Sequence, residues 1–247
     1  MTDDIGRLHD RLAYARLPGA QPGVVFLPGF RSDMRGGKAL FLRDHCAARG
    51  HALLRFDYSG HGESAGRFED GTIGQWAADA IAVFDALTEG PQLLVGSSMG
   101  GWIGLLLARA RPERVAGFIG LAPAPDFTEK LMWPAFDAAE RATILEQGVL
   151  RLPSRYGDPT PITRALIEDG PRHNLLDAPI PLACPVRILQ GMEDPDVPWQ
   201  HALKLVEALR SRDVRLHLIK DGDHRLSRPA DLRLLGETLD SLLAQLA

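Results

Sequence analysis

Residues 93–107 decide the fold: Leu93-Leu94-Val95-Gly96-Ser97-Ser98-Met99-Gly100-Gly101-Trp102-Ile103-Gly104-Leu105-Leu106-Leu107. A short apolar run enters Gly96-Ser97-Ser98-Met99-Gly100, a G-x-S-x-G pattern, and a longer apolar run leaves it. That order reads as strand, sharp turn and buried helix, with the glycines allowing backbones to approach where a β-carbon would clash. The same letters recur at Gly62-Glu63-Ser64-Ala65-Gly66, so the pattern alone does not choose its serine. Ser64 follows Asp57, Tyr58, Ser59, Gly60 and His61 and leads into Arg67, Phe68, Glu69, Asp70 and Gly71, a polar loop with no helix starting at the serine. Ser64 is therefore assigned to a glycine-rich turn, and Ser98 is the candidate nucleophile. The uncharged run from Gly90 to Ala108 reaches membrane-spanning length, but Pro91, Ser97, Ser98 and five glycines interrupt it and its period changes midway. No membrane span is expected there.

Outward from this turn, apolar and β-branched runs recur at Val24–Leu27, Ala52–Phe56, Val115–Leu121, Val186–Leu189 and Val214–Ile219. Amphipathic patterns alternate with them. Ile73, Trp76, Ala77, Ala80, Ile81, Phe84 and Leu87 form one apolar stripe, with Thr72 and Gln75 as a capping box, and Leu232 to Leu246 repeats the pattern. Strands alternating with helices predict a mostly parallel, doubly wound α/β sheet. Residues 125–185 break the alternation: they hold nine of the 18 prolines, show no strand run, and carry Leu131, Met132, Trp133, Phe136, Ile144, Leu145 and Tyr156 among turns. This stretch is expected to be an inserted lid of short helices, with residues 1–124 and 186–247 forming the core.

Composition narrows the partners. The 247 residues carry 28 Lys and Arg against 32 Asp and Glu, a net charge of −4, which offers no basic field for nucleic acid. Cys46 and Cys184 are too few and too far apart for a disulfide framework or a metal site. Thr2, Asp3 and Asp4 replace the basic start of a secretory signal, and no Arg- and Ser-rich transit pattern precedes the first periodic segment, so a cytoplasmic location is expected. Gly36-Gly37-Lys38 lacks the earlier glycine of a phosphate loop, and no dinucleotide fingerprint follows a strand. No cofactor and no metal are expected.

A serine hydroxyl needs a base within hydrogen-bond reach and an acid to orient that base. His201 falls within a helical pattern and His217 inside a strand, whereas His224 stands just past a strand end, after Asp221, Gly222 and Asp223. Loops at strand ends carry function on open α/β sheets, which favours His224. The turn after Val186–Leu189 offers Glu193, Asp194 and Asp196, which composition does not separate. Pro195 biases Asp194 toward extended geometry, and Asp196 could cap the next helix, so Asp194 is favoured and Glu193 is left as a surface residue. Two backbone N–H groups are expected to hold a developing oxyanion: Met99, after the nucleophile, and Phe30, after Val24–Leu27, because Pro28 has no N–H to give. Met132, Trp133 and Phe136, three and four apart, would share a helical face able to contact substrate.

These residues together resemble the α/β-hydrolase superfamily. Phe56-Asp57-Tyr58-Ser59-Gly60-His61-Gly62-Glu63-Ser64 is similar to the family's turn after its fourth strand, Gly191, Asp194, Val197 and Pro198 to its acid turn, and Gly222-Asp223-His224 to its histidine loop. The runs Gly96–Trp102, Cys184–Trp199 and Asp223–Arg225 resemble the branch of mitochondrial palmitoyl-protein thioesterases that also deacylate acyl glucuronides. The resemblance implies a triad of Ser98, Asp194 and His224 and a serine hydrolase of carboxylic esters or thioesters working through an acyl-enzyme. Its partners would be small acyl esters or thioesters, or acylated protein. Two other readings use the same fold: a ligand-binding protein without turnover, and a cofactor-free peroxidase or C–C hydrolase on the same triad.

Overall fold

In the computed structural model, which describes residues 4–153 and 158–246, alternate residues of the central strands are buried on opposite sides. Val24, Phe26, Leu93 and Val95 join one apolar cluster, and Val25, Leu27 and Leu94 join another. Two-residue periodicity with both faces apolar marks a sheet covered on both sides. In chain order the elements are β1 (Ile5–Leu8), β2 (Leu12–Leu17), β3 (Ala20–Leu27), α1 (Gly37–Arg49), β4 (His51–Phe56), α2 (Ile73–Leu87), β5 (Gln92–Ser97), α3 (Met99–Ala110) and β6 (Val115–Leu121). Then come α4 (Trp133–Ala135), α5 (Ala138–Gln147), β7 (Val149–Leu152), β8 (Thr160–Thr163) and α6 (Arg164–Asp169). The chain closes with β9 (Val186–Gly191), α7 (Trp199–Ala208), β10 (Val214–Ile219) and α8 (Pro229–Leu246).

Among the described residues the main sheet has eight strands in the order β1-β2-β4-β3-β5-β6-β9-β10. β1 and β2 pair antiparallel with each other and β2 with β4, while the other neighbours pair parallel. Residues of α1 and α8 pack in the cluster containing Val24 and Val95, and residues of α2, α3 and α7 pack in the one containing Val25 and Leu94. This is the doubly wound arrangement, with helices wrapping a sheet whose strands could pair parallel only through long crossovers. Strand order reverses between β3 and β5, and loops at the carboxyl ends of strands there form the natural crevice for a ligand.

Residues 125–185 leave the sheet after β6 and rejoin it at β9. The expectation that they lack strands does not hold, because β7 and β8 form an antiparallel pair of four residues each. Pro161 stands inside β8 in a two-stranded ribbon, where a missing donor disrupts no central ladder. Phe136, Ile144 and Ile162 build a small core there, and Phe30 and Met132 pack against both it and the main core. Tyr156 lies outside the described residues. The capping box at α2 forms by half: Thr72 Oγ1 accepts the Gln75 N–H at 3.2 Å, but the Gln75 side chain turns to Asp79. A reciprocal box forms instead at α5 between Asp137 and Glu140. No helix among the described residues is long and apolar enough to cross a membrane.

Candidate active site

Ser98 sits between β5 and α3 with φ 54° and ψ −118°, a conformation costly for a residue with a β-carbon. Its surroundings impose that bend. The Ser98 N–H donates to Leu121 O at 2.9 Å, and the Ser98 carbonyl accepts from Gly101 and Ala124 at 2.8 and 3.1 Å. Gly100 packs so tightly on the end of β3 that a β-carbon would overlap the Leu27 carbonyl. The side chain thus stands half-buried at the N-terminus of α3, where helical N–H groups lack intrahelical acceptors and favour negative charge.

The loops after β9 and β10 converge on it. His224 Nε2 is 3.0 Å from Ser98 Oγ, and His224 Nδ1 is 2.8 Å from Asp194 Oδ2. A carboxylate only accepts, so Nδ1 carries the proton and Nε2 is left free to take one from the serine hydroxyl. Asp194 is held on every side: Oδ1 accepts the N–H groups of Asp196 and Val197 at 2.8 Å each, and Oδ2 also accepts from Gln190 Nε2 at 3.2 Å. Its side chain is fully buried, whereas Asp196 and Glu193 are exposed. Ligand atoms of Asp194, Asp196 and His224 lie within 4.8 Å of one another, a spacing a metal ion could use. Both Asp194 oxygens, however, are already occupied by N–H donors, which leaves this set poorly suited to a cation.

Gly29 brings the turn after β3 against the serine: a β-carbon there would lie 3.2 Å from Ser97 O and 3.4 Å from Ser98 Cβ. The next residue is Phe30, whose N–H finds no backbone acceptor among the described residues. Met99 is the first residue of α3. The turn that carries Phe30 and the start of α3 at Met99 therefore meet at Ser98. Ser64 has neither an imidazole nor a carboxylate as its partner. Its Oγ donates to Asp57 O at 2.7 Å and accepts the Ala13 N–H at 2.8 Å, tying the turn after β4 to β2.

Met132 and Trp133 do not lie on a regular helix. Met132 ends a π-helical turn over Thr128–Met132, α4 is a single turn, and Phe136 follows it in extended conformation. Phe136 is buried in the inserted region's own core, and Trp133 is half-buried beneath the Arg141 guanidinium at 5.3 Å. Two residues escaped the sequence reading. Lys38, considered only as part of a failed phosphate loop, donates from Nζ to the Arg225 carbonyl beside His224. Burial, aided by the nearby Arg225 charge and opposed by Asp223 and Asp231, lowers its ammonium to about 8. His61 is the second; its motif was visible, but its contacts need the fold.

The model of the Hydrolase_4 family, described as serine aminopeptidase, S33, matches residues 20–165, more than half of the chain. The chain belongs to this α/β-hydrolase family. It is accordingly a hydrolase, and the reading of a binder without turnover gives way. A curated relative, the mitochondrial palmitoyl-protein thioesterase ABHD10 of Mus musculus, is 44% identical over 238 residues, covering 96% of this chain and 80% of that one. The Homo sapiens protein of that name is 41% identical, covering 96% and 78%. Among solved structures of α/β hydrolases, the mouse alpha/beta hydrolase domain-containing protein 10 superposes with a TM-score of 0.91 at 41% identity, covering all of both chains. A putative hydrolase from Agrobacterium vitis S4 does so with the same TM-score at 46% identity, covering 96% of each chain. The relatives named mitochondrial overturn the cytoplasmic expectation, which rested on the composition of the first residues alone.

Proposed function

We propose that the chain is a serine hydrolase of acyl thioesters, including those on proteins, and of carboxylic esters, with Ser98, His224 and Asp194 as its catalytic residues. The observation that carries this reading is the unbroken relay from Ser98 Oγ through the imidazole to a buried carboxylate, at 3.0 and 2.8 Å. Ser98 Oγ attacks the acyl carbon while its proton passes to His224 Nε2. The oxyanion accepts the N–H groups of Phe30 and Met99. Collapse breaks the bond to the leaving thiolate or alkoxide, which takes the proton from His224. Water, deprotonated by the same nitrogen, then cleaves the acyl-enzyme. The relatives named palmitoyl-protein thioesterases support a thioester leaving group.

Residues 125–185 act in this reading as a lid over the core formed by 1–124 and 186–247. Phe30 and Met132, which join the two apolar clusters, support an acyl site between lid and core, with Trp133 and Phe136 shaping it. Each methylene moved from water into such a site contributes about 0.8 kcal/mol, roughly fourfold in kcat/KM until the site is full. Acyl thioesters of increasing length should therefore show kcat/KM rising from acetyl and reaching a plateau, and Trp133→Ala should shift that plateau. A flat series or an acetyl optimum would contradict the apolar acyl site.

A further inference from the structure

The turn that carries Phe30 depends on support from outside itself. Ser32 N–H returns to Gly29 O at 3.0 Å, closing a four-residue turn whose third residue, Arg31, has φ 56°. This region is uncommon for a residue with a side chain, and type II turns usually place glycine there. The Phe30–Arg31 peptide therefore needs a partner to hold its orientation. His61, from the turn after β4, supplies one: the Arg31 N–H donates to its Nε2 at 3.3 Å. On the other side of the ring, Nδ1 lies 3.3 Å from Ser59 O, which also accepts Trp76 Nε1–H at 3.1 Å. An amide N–H only donates and a carbonyl only accepts, so the proton resides on Nδ1 and Nε2 is bare.

The surroundings maintain that state. His61 is buried and packs edge-on to Phe68 and Trp76, with ring centroids at 5.0 and 5.1 Å. The same two rings meet the Phe30 side chain at 4.9 and 5.8 Å, so both residues of this pair share one aromatic box. Burial pushes the imidazole down to about 4, against the upward pull of the Ser59 carbonyl, Asp79 and Asp33 and with a small further push from Arg31. At neutral pH the ring remains an acceptor.

We propose that His61 is a positioning residue for hydrolysis: by accepting the Arg31 N–H it fixes the turn that aims the Phe30 N–H at the oxyanion. The inference rests on the serine-hydrolase reading above. Because the oxyanion develops only in the transition state, the effect belongs to kcat and not to KM.

Isosteres separate the two ring nitrogens. His61→Gln keeps an amide oxygen near the Nε2 position, and His61→Asn keeps an amide only near Nδ1; both empty the aromatic box to a comparable extent. On a p-nitrophenyl ester, His61→Asn should lose roughly tenfold or more in kcat with KM unchanged, a fraction of what deletion of a whole oxyanion donor costs. Its affinity for an alkyl boronic acid, which forms a tetrahedral adduct with an oxygen in the oxyanion site, should fall in parallel, and His61→Gln should recover most of both. Equal activity and equal boronate affinity in the two variants, whether both high or both low, would overturn the role of His61. Ser98→Ala distinguishes the two levels: if it retains turnover, the serine reading fails and takes this one with it. If Ser98→Ala is inactive while His61→Asn matches wild type, only the His61 proposal falls.

Discussion

At the scale of single residues, the acid of the relay separates three carboxylates that composition left together. Asp194 and Asp196 are two positions apart on the same turn. Four N–H groups converge on the Asp194 carboxylate, while the Asp196 side chain is exposed. Asp194→Asn places an NH2 group against two of those donors in either orientation, and with NH2 toward His224 it removes the acceptor that holds the His224 tautomer. The variant should lose roughly 10³- to 10⁴-fold in kcat. Asp196→Asn, whose exposed side chain makes no hydrogen bond among the described residues, should lose far less, within about threefold, in a steady-state assay on an acyl thioester. Losses of equal size would assign the acid elsewhere. Ser98 and His224, members of the proposed relay, stand out in the sequence because each follows a strand end, and strand ends are legible from apolar runs, whereas the choice of Asp194 over its two neighbours needed the Pro195 argument and the family resemblance. The role proposed for His61 is not legible in this way, because it rests on a contact with a peptide 30 residues away in sequence.

At the scale of elements, the turn after β4 holds two buried titrating groups whose effects on stability oppose each other. His61 is pushed down to about 4 by burial, so its folded value lies below the unfolded one near 6.5. Its contribution is complete above pH 6.5 and is lost as pH falls toward 4, about 2 kcal/mol between pH 7 and pH 5. Asp57 moves the other way. Burial raises it to about 6, against the Glu63 and Met34 N–H groups that lower it. Its folded value exceeds the unfolded one, so stability is regained as pH falls below 6. Asp57→Asn removes that compensation. Urea unfolding at pH 7 and pH 5 should show this variant losing about 1 kcal/mol more than wild type on acidification; an equal loss in both would contradict the assignment. The same scale shows where sequence patterns ran out. β1 and β2 escaped notice because short strands at the sheet's antiparallel edge mix Arg and Leu without a long apolar run. The β7–β8 ribbon was hidden by its prolines, and the expected helical face of Met132, Trp133 and Phe136 gave way to a π-turn that ends before Phe136.

At the scale of the whole molecule, the parallel sheet collects the loops after β3, β5, β9 and β10 at one end and leaves residues 125–185 to enter between β6 and β9. Periodicity made the sheet and its helices legible, since both faces of each central strand are apolar. How the inserted region sits on the core depends on side chains distant in sequence, such as Arg31, which donates to Asp158 O at 2.8 Å and Thr160 Oγ1 at 3.0 Å. The proposed function requires these loops to assemble one reactive serine. Intact-protein mass spectrometry after treatment with an alkyl fluorophosphonate, followed by peptide mapping, tests it most directly. A single adduct is expected on Ser98, absent from Ser98→Ala and retained by Ser64→Ala, with thermal stability almost unchanged in Ser98→Ala. Full labelling of Ser98→Ala, or an adduct mapped to Ser64, would contradict it.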